Sequence, residues 1–230
     1  MAYRHYKKYG KKNPVGAHKP PFAVFNPHCQ EAPLMRNDNM IITSIDPGIV
    51  NCGIYVCCYN NVKKTYQSLY LERLNFKDEK INYYMKAVKV LDELQEKHQF
   101  FSSSHYIIVE SQMAISYDNT RIGQHLISYF STRYRNRGNR PIVIEFNSQS
   151  KTRLLECPKM TKYQYKKWCR DKAISLLEER NSESENKFIN CLRISKKADD
   201  MGDTICQLYA WIITLEGKSL ELPLPHKVSN

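Results

Sequence analysis

The sequence predicts an α/β fold, a mixed five-stranded sheet flanked by helices. Three features carry this: a meander of three strands, two more strands separated by helical spacing, and two closing helices. Met40-Ile41-Ile42-Thr43-Ser44-Ile45 is short, apolar and β-branched, the pattern of a strand covered on both faces. Pro47-Gly48 turns the chain. Residues 53–59 read as a second strand, Asn60-Asn61 as a turn, and 64–74 as a third strand. Connections this short leave the strands antiparallel. Ile81, Tyr84, Val88, Leu91 and Leu94 then fall on one face of an amphipathic helix. Tyr106-Ile107-Ile108-Val109 is a buried-type strand, helical spacing returns at Ile122, Leu126 and Tyr129, and residues 141–146 give the fifth strand. Two helices follow, near 162–180 and 200–215. The order β-β-β-α-β-α-β-α-α packs helices against one sheet.

The 230 residues accommodate one domain with a core and short tails. We divide them into a basic disordered arm (1–38), the folded domain (39–216) and a C-terminal tail (217–230). The arm holds Pro14, Pro20 and Pro21, the pairs Lys7-Lys8 and Lys11-Lys12, and no acid before Glu31. Its first serine lies beyond it, at Ser44, unlike a Ser-rich amphipathic transit peptide. An arm of this kind adds non-specific affinity for nucleic acid.

A net charge of +12 favours a polyanionic partner, although a solvated basic surface would give the same balance. No apolar run approaches the ~20 residues of a membrane helix, so no membrane association is expected. Eight cysteines show neither a CxxC pair nor zinc spacing, which implies free thiols in a reducing compartment.

Acids occur where chemistry would want them. Asp46 ends the first strand, Glu110 ends the fourth, and Asp199, Asp200 and Asp203 open the last helix. Singly, each has a plainer role: opening a turn, or complementing a helix dipole. Jointly, two strands ending in acid at one edge and a helix bearing more acids can converge. On the last helix, Met201, Ile205, Leu208, Ile212 and Leu215 form the core stripe. At about 100° per residue, Asp200 and Asp203 lie off that stripe and within roughly 60° of each other. Asp199 also lies close to Asp203, so the angles do not choose between the two partners. Carboxylates so gathered repel and resist ionisation, and Mg²⁺, with Mn²⁺ as a substitute, resolves this. Two such ions about 3.5–4 Å apart suit phosphodiester hydrolysis.

Ile45-Asp46-Pro47-Gly48, followed by Gly53, resembles the first motif of RuvC-like Holliday junction resolvases. Val109-Glu110-Ser111-Gln112 resembles the second. The stretch 196–204, Lys-Lys-Ala-Asp-Asp-Met-Gly-Asp-Thr, is similar to the third, in the form found in the poxvirus, large DNA virus and fungal mitochondrial branch. A basic helix from Lys166-Lys167 to Leu177 matches that branch as well. The resemblance spans about residues 40–215. It implies an RNase H-like fold, two metal ions held by Asp46, Glu110, Asp200 and Asp203, Asp199 as a neighbour or second-choice acid, and a homodimer making paired cuts that leave 5′-phosphates. Ala198 departs from the larger residue usual beside the acid pair.

Two basic stretches are candidate contacts to branched DNA. One holds Arg133, Arg135 and Arg137. The other holds Lys151, Arg153, Lys162, Lys166, Lys167 and Arg170, interleaved with Tyr163, Tyr165 and Trp168, which could stack on exposed bases or belong to the core. Lys196 and Lys197 sit beside the acids. The helix around 119–132 is the candidate dimer interface. Free thiols suggest the cytoplasm, and the viral-type resemblance a site of viral DNA replication, ahead of the mitochondrion.

Three other readings compete. A sugar kinase or ATPase of the actin type needs a second domain and a second phosphate loop, and no GxxxxGK[ST] loop occurs, so no nucleotide cofactor is expected. A non-catalytic junction-binding protein has no use for acids that repel phosphate. A ribonuclease H or transposase relative stays open on the motifs alone.

Overall fold

A computed structural model describes residues 22–24, 38–77, 80–112, 116–134 and 141–217. The five expected strands are present, as β2 (Asn39–Asp46), β3 (Asn51–Asn60), β4 (Thr65–Asn75), β5 (Tyr106–Ser111) and β6 (Ile142–Asn147). A short sixth, β1 (Phe22–Val24), comes from the segment expected to be an arm and pairs antiparallel with β6. The sheet order is β1-β6-β5-β2-β3-β4. The tight turns after β2 and β3 make β2-β3-β4 antiparallel, whereas β5 and β6 arrive through helical crossovers and run parallel to β2. The carboxyl ends of β2, β5 and β6 therefore share one edge. The rest of residues 1–38, and residues 218–230, lie outside the described residues.

The helices are α1 (Tyr83–Glu96), α2 (His98–Ser103), α3 (Tyr117–Arg133), α4 (Ser148–Leu154), α5 (Lys162–Glu178), α6 (Asn186–Ile194) and α7 (Ala198–Glu216). The short helices α2, α4 and α6 were not marked by periodicity. One face of the sheet packs on α5, α6 and α7 through Tyr55, Ile108, Ile144 and Trp211. The other packs on α1, α2 and α3 through Ile54, Val109, Leu126 and Phe130. Each large aliphatic or aromatic side chain so covered contributes about 1.5–3 kcal/mol relative to exposure.

Helix α7 buries the expected stripe of Met201, Ile205, Leu208, Ile212 and Leu215, and more besides, since Gln207 and Trp211 are also enclosed. The buried Gln207 amide donates to the carbonyls of Ile108 (3.3 Å) and Ile45 (3.5 Å), fixing α7 to the ends of two strands. On α1 the expected face is corrected. Ala87, Val90 and Leu94 are buried, while Tyr84 and Val88 are exposed. Small Ala87 faces inward, and Tyr84 turns outward towards the Arg121 guanidinium, 5.3 Å from its ring.

The C-terminal end of α5 is clamped. Arg180, two residues beyond the helix, pairs with buried Glu185 at 3.0 Å and donates to Tyr55 and Tyr209 (each 2.9 Å) and Ser68 (2.8 Å). Its guanidinium also lies 5.1 Å from the Tyr66 ring. A buried charge so fully bonded is costly to disturb on either side. Among the described residues no helix is long and apolar enough to cross a membrane, and the seven described cysteines are free.

Candidate active site

The topology delivers the acids to one edge. Ile45 of β2 is in register with Val109 of β5, so Asp46 and Glu110 end neighbouring parallel strands. Across β2 on the other side, Asp46 pairs with Gly53. A Cβ at Gly53 would lie 2.6 Å from the Asp200 carbonyl oxygen and 2.9 Å from a Thr204 methyl. Only a glycine lets the first turn of α7 come down onto the sheet at that point. Gly202 serves the opposite side of α7, where a Cβ would meet the Cys169 carbonyl at 2.8 Å. Two glycines thus set how closely α7 lies between the sheet and α5.

Gln112 spans the strand-end acids, its amide donating to Asp46 Oδ1 at 3.1 Å and to Glu110 Oε2 at 3.4 Å. Burial, followed by the charges of Glu110 and Asp203, pushes the Asp46 carboxyl well above the usual carboxylate range. Asp200 is pushed up to about 6, first by burial and then by Asp199 beside it. One oxygen of Asp200, Oδ2, is buried without a hydrogen-bond partner.

Lys151 corrects the sequence reading. It was expected to contact phosphate, but its side chain is only 2% exposed, and its ammonium bonds Glu110 Oε1 at 2.9 Å and Asp203 Oδ1. The cause is local. Asn147 ends β6 and at once caps α4, so there is no loop, and Lys151 is carried inwards one turn later. Burial alone would lower its pKa, but Asp203 and Glu110 outweigh that and hold it charged, above its ordinary value.

Asp203 Oδ1 also accepts from Tyr165 Oη at 3.0 Å and from Cys169 Sγ at 3.2 Å. Asp199 is taken up by Lys166. That pairing separates the two acids the helix angles left equivalent: Asp199 is bonded to a lysine, whereas Asp200 keeps an unbonded oxygen. A cleft of about 520 Å³ opens beside Glu110 and Asp203, walled by Gln112, Asn119, Gln149, Lys162 and Tyr165.

The remaining basic residues divide. Arg153, Lys162, Lys167, Lys196 and Lys197 are exposed, and Arg170 is half-buried with its guanidinium on Asp171. Arg133 is exposed at the far end of α3, roughly 25 Å of helix from the site edge, so the structure does not bring it to the acids. Arg135 and Arg137 lie outside the described residues. Tyr163 is exposed, Trp168 packs on the core, and Tyr165 is committed to Asp203. Gln112 and Cys169 were missed as site residues, and Tyr165, expected to stack on bases or to belong to the core, bonds an acid instead. The signal for Tyr165 and Cys169 was the spacing Lys162, Tyr165, Cys169, which puts one face of α5 towards α7.

The donor set suits a hard divalent cation, since it consists of carboxylate oxygens. The unbonded Asp200 oxygen and the resistance of Asp46 to ionisation both call for positive charge there. Among the described residues no three potential ligands already stand close enough to hold an ion, and Lys151 occupies the space between Glu110 and Asp203.

Three antiparallel strands continued by two parallel ones, with helices on both faces and acids at the shared strand ends, define an RNase H-like fold. Solved structures place it within that class. The chain superposes on Fowlpox virus resolvase, determined with substrate Holliday junction DNA, with a TM-score of 0.53 and 20% identity, over 76% of this chain and 99% of that one. It also superposes on the yeast mitochondrial Holliday junction resolvase with a TM-score of 0.53 and 14% identity, over 74% of this chain and 78% of that one. In sequence, it is 33% identical over 146 residues to protein 170L of Invertebrate iridescent virus 6, covering 54% of this chain and 57% of the relative. The match thus spans little more than half of that relative's length. No protein-family model matches.

Proposed function

We propose that the protein is a divalent-metal-dependent endonuclease that resolves four-way branched DNA as a homodimer, by paired cuts leaving 5′-phosphates. The observation that carries this is the set of four acids from three elements at one sheet edge, with an Asp200 oxygen left unbonded, in a chain of net charge +12. The likeness of fold to two resolvases, one solved on junction DNA, supports the choice of substrate. A virus-encoded relative supports a site of viral DNA replication.

Asp46, Glu110, Asp200 and Asp203 would hold the ions. When bound, two Mg²⁺, or Mn²⁺ in their place, supply an activated water and a charge opposite the leaving oxygen. The protein's own residues do the rest. Gln112 holds Asp46 and Glu110 in register with each other. Lys151 neutralises part of the acidic charge, so that a phosphodiester can approach. Lys162 on the cleft wall and exposed Lys167, Lys196 and Lys197 draw the backbone in, and the basic arm adds affinity without sequence preference. A two-fold symmetric junction suits a dimer, with one site for each opposed strand.

The test is a panel: a labelled four-way junction, a linear duplex and an RNA–DNA hybrid, each with and without Mg²⁺. Junction cutting that requires the metal is expected, and dimeric protein that leaves the junction intact sinks the reading. Preferential cutting of the hybrid would make it a ribonuclease H instead. Asp46→Asn and Asp200→Asn are each expected to abolish cutting while retaining junction binding. A variant that still cuts at the wild-type rate removes its residue from the ligand set.

A further inference from the structure

Asp203 receives three donors on a single oxygen. Lys151 Nζ, Tyr165 Oη (3.0 Å) and Cys169 Sγ (3.2 Å) all point at Oδ1. A carboxylate oxygen has two lone pairs, which the ammonium and the phenol fill, the thiol being only a weak third donor. Among the described residues no donor reaches Oδ2. We infer that Tyr165 is a positioning residue: by holding Oδ1 it leaves Oδ2 as the oxygen Asp203 offers to a cation. This rests on the reading of Asp203 as a metal ligand.

Tyr165 is built for the task. Its ring stacks on Trp168, with centroids 5.9 Å apart and planes 24° apart, which fixes the direction of the hydroxyl. Its helix is held against α7 by the backbone contact at Gly202. The phenol is a neutral donor, so it orients the carboxylate without spending its negative charge, unlike Lys151. A carboxylate restricted to one oxygen suits Mg²⁺ or Mn²⁺, which take six ligands in strict octahedral order. Ca²⁺ accepts both oxygens of one carboxylate. Tyr165 therefore tunes which ion the site accepts as well as how tightly.

The test is Tyr165→Phe in the full-length protein, read first by Mn²⁺ binding with no DNA present, using electron paramagnetic resonance. We expect Mn²⁺ affinity to fall about 10-fold, the lower end of what loss of a ligand's hydrogen-bond partner costs. Added Ca²⁺ should displace Mn²⁺ more readily from the variant than from the wild type. Metal-free junction binding should stay within about twofold. Unchanged Mn²⁺ affinity and Ca²⁺ competition in Tyr165→Phe overturn the inference. So does weaker junction binding with metal affinity intact, which would make Tyr165 a DNA contact. In either case a wild type that still cuts junctions leaves the proposed function standing. A wild type that neither binds Mn²⁺ nor cuts removes both.

Discussion

Glu110 and Asp203 share the ammonium of Lys151, whereas among the described residues neither Asp46, the sheet neighbour of Gly53, nor Asp200, whose backbone carbonyl lies over that glycine, bonds a lysine. The first pair is charge-compensated by the chain itself and borders the open cleft. The second is compensated by nothing comparable, and both of its members are pushed upwards in pKa. The protein therefore folds with one half of its acidic cluster satisfied and the other half under electrostatic strain. The lesson is a division of labour: the compensated half keeps the edge assembled, and the strained half is where the proposed function places the cation.

The largest effect that could break this comparison comes from Lys151→Met. Removing one partner of a buried pair leaves Glu110 and Asp203 uncompensated, and a loss of about 3 kcal/mol in denaturant unfolding is expected. Loss of under about 0.5 kcal/mol would show that the two acids do not depend on the lysine. Gly53→Ala comes next. Its Cβ would press on the Asp200 carbonyl, so about 2 kcal/mol of stability should be lost as α7 is forced off the sheet. Metal binding should weaken with it; if instead the variant melts and binds Mn²⁺ like the wild type, α7 does not need that close approach.

The smallest effect is electrostatic. Asp200 has a folded-state pKa raised to about 6 from 3.8. A raised carboxyl favours the fold below the unfolded value and loses that contribution as pH climbs through the folded one. Without metal, Asp200→Asn should thus gain stability over the wild type as pH rises from 4 to 7. After allowance for solvent screening, the gain is roughly 1 kcal/mol. Thermal melts of the two proteins across that range provide the check, and a constant difference would remove the strain from Asp200.

Much of this edge was legible in the sequence. Strands ending in Asp46 and Glu110, and a helix opening with acids, follow from apolar runs and their limits. The α7 stripe follows from angular spacing alone. What escaped depended on tertiary placement. Lys151 sits in a run of basic residues, and composition cannot tell the one that turns inwards from those that stay in water; only the absence of a loop between β6 and α4 decides it. Asp199 and Asp200 are equivalent by helix angle and differ because Lys166, on another helix, reaches just one of them. The rotated face of α1 arose because alanine carries too weak an apolar signal to outvote Tyr84 and Val88. Strand β1 is three residues among prolines, too short for any period to register.

Arg180 has a mechanical meaning for the helix that precedes it. With its guanidinium locked among Tyr55, Ser68, Glu185 and Tyr209, the C-terminal end of α5 is anchored to the body of the domain. The N-terminal turns, bearing Lys162, Lys166 and Lys167, project beside the acids. Helix α5 is therefore a beam pinned at Arg180 and again where Cys169 meets Gly202, with its basic N-terminal turns overhanging the second pin. Any load on that overhang is delivered at Tyr165 and Cys169, where the beam touches Asp203.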